Sequence, residues 1–252
     1  MTQEIKVPVA RLRGIYLLPN LFTTTALLAG FYAIVGAIRG HFDAAATALF
    51  IAMVMDFLDG RVARLTNTQT PFGSEYDSLS DMVSFGLAPS ILMFQYSLIH
   101  LSKFGWMVSF IYTATVALRL ARFNTQVLHL DKRYFQGLPC PAGAAIIAAL
   151  VWFNGDHPDF NQFENILFAI VTLLVATLMV SNIRYHSFKE IDLRGRVPFM
   201  TLIVIVLVFA AITLDPPSVL LFLFVLYGVS GPTLTLIHLR KARLERKKHR
   251  LE

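Results

Sequence analysis

Residues 56–81 read DFLDGRVARLTNTQTPFGSEYDSLSD, and in them Asp56, Asp59, Asp77 and Asp81 form two pairs, spaced i,i+3 and i,i+4. Both spacings place the carboxylates of a pair on one face of a helix. The apolar pattern predicts one helix ending near Val62 and another beginning near Asp77, with Gly73 in the connecting loop. As antiparallel neighbours, these helices would bring all four aspartates to one depth. Carboxylates at close quarters repel, and near lipid each is costly without a partner. A pair of divalent cations removes both difficulties, and all-oxygen ligands suit magnesium or manganese.

The residues between the pairs suit a phosphorylated ligand. Gly60 and Ala63 carry little or no side chain, so a ligand can approach the backbone there. Arg64, one turn beyond Gly60, offers a planar fork to phosphate oxygens. Gly73 allows a turn or a close approach. Two metals, a phosphate-facing arginine and a spare carboxylate point to in-line phosphoryl transfer. The competing class is an ion transporter with carboxylates along its path. Such a path has no need of Gly60, Ala63 and Arg64, and no inverted repeat is evident.

Working outward, the 252 residues are 56% hydrophobic and 15% charged, with a mean hydropathy of +0.60. That composition predicts an all-α, polytopic membrane protein. One cysteine, Cys140, excludes an intramolecular disulfide framework. The net charge of +6 is explained by topology rather than by nucleic acid. Apolar spans are expected at 20–38, 43–62, 78–99, 104–125, 140–154, 163–182, 198–214 and 217–238. The fifth is short enough to be re-entrant, and charge decides the matter. With eight spans and both termini cytoplasmic, every Lys and Arg of the 22 except Arg39 and Lys103 falls on the inner side. Removing the fifth span would put the basic 184–196 loop outside. The aspartates then face the cytoplasm across the inner membrane. Residues 1–18 read as an interfacial amphipathic segment, and 240–252 as a basic tail drawn to anionic membrane lipids.

Asp-x-x-Asp-Gly-x-x-Ala-Arg, eight residues, then Gly-x-x-x-Asp-x-x-x-Asp resembles the signature of the CDP-alcohol phosphotransferase family. Asp56, Asp59, Gly60, Ala63, Arg64, Gly73, Asp77 and Asp81 match every fixed position. The resemblance implies a six-helix catalytic core over 19–185, followed by two additional helices over 186–239. It implies two metals on Asp56, Asp59, Asp77 and Asp81, with Asp81 also taking the proton of the acceptor hydroxyl. Gly60, Ala63, Arg64 and Gly73 would line the CDP site.

The segments FGSEYDSLSDMVSFGLAP (72–89), RLARFN (119–124) and FQGLPCPAG (135–143) are similar to one subgroup, the membrane-integrated bacterial phosphatidylserine synthases. That likeness implies CDP-diacylglycerol and L-serine as substrates, and a homodimer is the expected assembly. A sister enzyme using glycerol 3-phosphate or an inositol derivative is the alternative. Serine is a small zwitterion, so its site needs a cation for the carboxylate. Arg119, Arg122 and Asn124, at the cytoplasmic end of the fourth span, are the candidates. Positive-inside anchoring is the ordinary explanation of the two arginines.

Overall fold

The computed structural model describes residues 17–66, 68–126, 134–156, 160–186 and 199–248. The interfacial segment expected over 1–18 lies almost wholly outside that set. So do Lys132, Arg133, most of the 184–196 loop and the side chains of the tail beyond Arg240.

Helices α1 (Leu17–Ile38) and α2 (Phe42–Leu65) form an antiparallel hairpin. Its turn passes through Gly40 at a φ of +78°, a left-handed conformation that glycine adopts without strain. The hairpin seam is made of small residues, with Ala33 and Ala37 on one helix and Ala45, Ala46, Ala48 and Ala52 on the other, all buried. Small side chains let two backbones approach closely, which is how helices associate where lipid offers no hydrophobic drive.

The chain next forms one unbroken rod: α3 (Pro71–Asp81), a π-helical stretch (Met82–Leu87) and α4 (Ala88–Tyr96). A short 3-10 turn (Leu98–Leu101) leads into α5 (Ser102–Gln126). Helix α6 (Cys140–Asn154) is alanine-rich and buried along nearly its whole length, as expected of a helix apolar on every side. Helix α7 (Gln162–Val180) starts from a capping box made by Asn161 and Glu164. A two-stranded antiparallel ribbon, β1 (Tyr134–Gln136) with β2 (Arg184–His186), ties the segment before α6 to the one after α7. Helices α8 (Phe199–Leu214) and α9 (Pro216–Lys248) close the chain, with α9 packed on α6 and on β2.

This is a helical membrane protein. Among the described residues, four helical segments, Leu18–Ile38, Leu98–Thr125, Gln162–Val180 and Pro216–Ile237, are long and apolar enough to cross a bilayer. Cys140–Asn154 and Leu202–Leu214 are apolar but shorter. Large apolar side chains such as Leu28, Phe31, Trp106, Phe110 and Leu207 stand exposed on the outer faces.

Two boundaries differ from expectation, and the difference moves the aspartates. Helix α2 runs to Leu65 rather than stopping near Val62. Helix α3 begins at Pro71, not near Asp77, because Thr70 caps it by accepting the Gly73 N–H at 3.0 Å and Pro71 occupies the first helical position. Gly73 is therefore in the first turn of α3 and not in a connecting loop. Asp56 and Asp59 lie about 14 and 9 Å of rise from the end of α2, and Asp77 about 9 Å inside α3.

Candidate active site

Each aspartate is delivered by a regular helix, so its position is fixed by backbone geometry rather than by a loop. One carboxylate oxygen from each of Asp56, Asp59 and Asp77 can be chosen so that all lie within 4.8 Å of one another. Asp59 is buried, at 5% exposure, while Asp56 and Asp77 are half-buried. Asp81, one turn beyond Asp77, stands beside Asp56 and within electrostatic range of Asp77 and Asp59. Three carboxylates converging from two helices form an all-oxygen donor set of the hardness that magnesium and manganese require. The π-helical stretch starts immediately after Asp81, and such widened turns recur at functional sites.

Helix α1 fastens this arrangement from behind. The buried Thr23 donates its hydroxyl to Asp59 Oδ2 at 2.7 Å. The Thr23 carbonyl accepts from Ser80 Oγ at 3.2 Å, and the Ala26 carbonyl from Ser84 Oγ at 3.1 Å. A single turn of α1 thus touches both aspartate-bearing helices. Thr24 shares a hydrogen bond of 2.9 Å with the Tyr76 hydroxyl. Sequence reasoning placed Ser80 and Ser84 near the site in a packing or hydrogen-bonding role, and overlooked Thr23, Thr24 and Tyr76. The available signal was the polar run Thr23-Thr24-Thr25 at the head of an otherwise apolar span.

The residues expected at the nucleotide behave differently from one another. Gly60 is exposed, and a Cβ built on it would meet no described atom within 4 Å. Protein packing therefore does not require glycine there, although glycine inside a helix costs about 1 kcal/mol relative to alanine. Arg64 folds back along its helix and donates through Nε to the Gly60 carbonyl at 2.8 Å, which holds the guanidinium over that open face. Ala63 is half-buried. At Gly73 a Cβ would come within 3.1 Å of the capping Thr70 hydroxyl and 3.5 Å of Asn20 Oδ1, so this glycine serves the helix start.

The three candidates on α5 are separated by their partners. Asn124 Nδ2 donates to Ser78 Oγ at 3.1 Å, placing it next to the turn that joins Asp77 to Asp81. Arg119 Nη1 lies 3.5 Å from Cys140 Sγ, a weak acceptor, and its buried Nε has no hydrogen-bond partner among the described residues. Cys140 in turn lies within electrostatic range of Asp81. Arg122 turns elsewhere: its Nη2 donates to Gln136 Oε1 at 2.5 Å and to Asn182 Oδ1 at 3.0 Å. The structure thus brings Asn124 to the aspartate-bearing turn, sets Arg119 against Cys140 and ties Arg122 to the ribbon.

Comparison with known proteins gives a consistent set of likenesses. The sequence profile of the CDP-alcohol phosphatidyltransferase family matches residues 16–180. A Helicobacter pylori protein named CDP-diacylglycerol–serine O-phosphatidyltransferase is 37% identical over 215 residues, covering 85% of this chain and 90% of the relative. A Bacillus subtilis protein of the same name is 32% identical over 174 residues, covering 69% of this chain and 92% of its own length. A Methanocaldococcus jannaschii protein, again of that name, is 35% identical over 144 residues, covering 56% of this chain and 63% of the relative.

Proposed function

The chain belongs to the CDP-alcohol phosphatidyltransferase family, and on that premise we propose that it transfers the phosphatidyl group of CDP-diacylglycerol to the hydroxyl of L-serine, giving phosphatidylserine and CMP. The observation that carries the proposal is the convergence of Asp56, Asp59 and Asp77 within 4.8 Å, on the helices that bear the family motif. Serine as acceptor is supported by the names of the relatives from H. pylori and B. subtilis.

In this reading Asp56, Asp59 and Asp77 hold two divalent cations, with Asp81 contributing to the second. The ions would neutralise charge on the transferred phosphoryl group. Gly60 and Ala63 admit the pyrophosphate to the backbone of α2, Arg64 pairs with its oxygens, and Gly73 keeps the start of α3 compact beside it. The serine oxygen attacks the lipid-linked phosphorus, the bond from that phosphorus to the oxygen of CMP breaks, and CMP leaves with the bonding pair. Asp81 receives the hydroxyl proton. Because the other three carboxylates are occupied as ligands, attack is direct, without a covalent enzyme intermediate.

The serine carboxylate pairs with Arg119, whose unpartnered Nε and weakly engaged Nη1 present a planar fork. Asn124 contributes beside it, and Arg122 adds positive charge from the ribbon. Ethanolamine lacks the carboxylate and would be rejected.

The eight apolar stretches each carry a helix, which supports eight crossings, with a catalytic core over 19–185 and an added pair over 186–239. The site and both termini face the cytoplasm across the inner membrane, and the protein works as a homodimer. Release of CMP from CDP-diacylglycerol, measured with purified protein and with serine, glycerol 3-phosphate or inositol in turn, tests the proposal. Serine alone should support turnover, and release only with another alcohol would reassign the acceptor. Labelled CMP exchanging into CDP-diacylglycerol without serine would refute direct attack.

A further inference from the structure

Helix α9 lies beyond the stretch matched by the family profile, yet it is built to receive one side chain from the ribbon. Pro232 sits inside α9 and has no N–H, so the carbonyl of Gly228, four residues earlier, loses its ordinary intrahelical donor. The fully buried Tyr185, at the centre of β2, donates its hydroxyl to that carbonyl at 2.9 Å. The notch that admits the ring is made by glycine. A Cβ on Gly231 would fall onto the Tyr185 ring itself, and one on Gly228 would come within 3.2 Å of Ile146 Cδ1. The neighbouring Tyr227 ring packs at a tilt of 49°, its centroid 5.6 Å from that of Tyr185, and lies within electrostatic range of Arg119.

Tyr185 in turn sits in the ribbon that holds Arg122. In the register of the ribbon Phe135 pairs with Tyr185 and Gln136 with Arg184. Gln136 and Asn182, on either arm, accept from Arg122, and the Gly137 N–H bonds to the Ile183 carbonyl at 2.8 Å. An unbroken series of contacts therefore runs from the proline-vacated carbonyl in α9 to Arg122 of α5.

We propose that Tyr185 is a positioning residue for the acceptor end of the site, with Gly228, Gly231 and Pro232 as its socket, so that the terminal helix pair sets acceptor affinity. This rests on the reading that Arg119 and Arg122 serve the acceptor alcohol. Tyr185→Phe keeps the ring and removes only the donated hydrogen bond. It should raise the serine KM by about fivefold or more, with the KM for CDP-diacylglycerol unchanged. Pro232→Ala returns an N–H that competes for the Gly228 carbonyl. It should also raise the serine KM while leaving the melting temperature equal or higher, since alanine favours the helix. In the double variant the melting temperature should recover but the serine KM should not.

Unchanged serine KM in both single variants would overturn the proposal, as would a parallel rise in both KM values. Recovery of KM together with melting temperature in the double variant would reduce the tyrosine to a stabilising contact. Deuterium uptake at residues 134–138 should rise in Tyr185→Phe whatever alcohol the enzyme uses, and unaltered uptake would also refute the coupling. If wild-type protein releases CMP with another alcohol, the serine reading fails by itself, and the KM comparison is made with that alcohol.

Discussion

The hydroxyl of Thr23 holds Asp59 Oδ2 at 2.7 Å, and a ligand carboxylate restrained in this way keeps its orientation for a cation. Thr23→Val should therefore raise the divalent-cation concentration required for activity by about 10–100-fold, with Thr23→Ser close to wild type; a manganese titration of CMP release checks this. Asp81→Asn should retain CDP binding, measured by calorimetry, and lower turnover by about 10²–10⁴-fold, the usual contribution of a positioned proton acceptor. Arg119→Ala should raise the serine requirement sharply and spare CDP-diacylglycerol affinity. Arg122→Ala should do the same less steeply, because its guanidinium is already engaged by Gln136 and Asn182. The aspartates were legible because their spacing has only one helical reading. Thr23 was not, since threonine in an apolar helix ordinarily bonds back to the carbonyl four residues earlier, as Thr23, Thr24 and Thr25 all do, and nothing in the sequence marks the further bond from Thr23 to Asp59.

At the scale of elements, the helix ends were misjudged where polar residues continue a helix past its apolar run. Thr70 and Pro71 carried the needed signal, a cap followed by a proline at the first helical position. The short ribbon escaped notice because three residues per strand are too few to show alternation. Glycines that look alike in sequence serve opposite ends. At Gly30 a Cβ would lie 2.5 Å from Ser84 Oγ and 2.8 Å from its Cα, so α1 needs glycine to reach the π-helical stretch. At Gly60 nothing fills the space. Gly60→Ala should then stabilise the protein by up to about 1 kcal/mol while weakening CDP binding, a trade visible by pairing thermal denaturation with nucleotide titration. Unaltered nucleotide affinity would place the CDP elsewhere.

At the scale of the whole molecule, the apolar runs carried the helical membrane class, because the bilayer imposes a length rule on sequence directly, and the distribution of Lys and Arg carries the proposed orientation. Contacts between distant segments, such as Tyr185 with α9, obey no such rule and needed the structure. The proposed orientation predicts a labelling pattern. In a Cys140→Ser background, a membrane-impermeant thiol reagent applied outside should modify Lys103→Cys and Asp215→Cys but not Gln69→Cys. The reverse pattern would invert the protein in the membrane. Helix α6 adds a consequence of its own. Its 15 residues rise about 22 Å, short of the roughly 30 Å of hydrocarbon in a bilayer, and its first residue, Cys140, lies within electrostatic range of Asp81. In the proposed orientation the helix begins near the carboxylates and inside the bilayer. On the proposed function, the lipid donor would then stay at its resting depth and the water-soluble acceptor would make the descent.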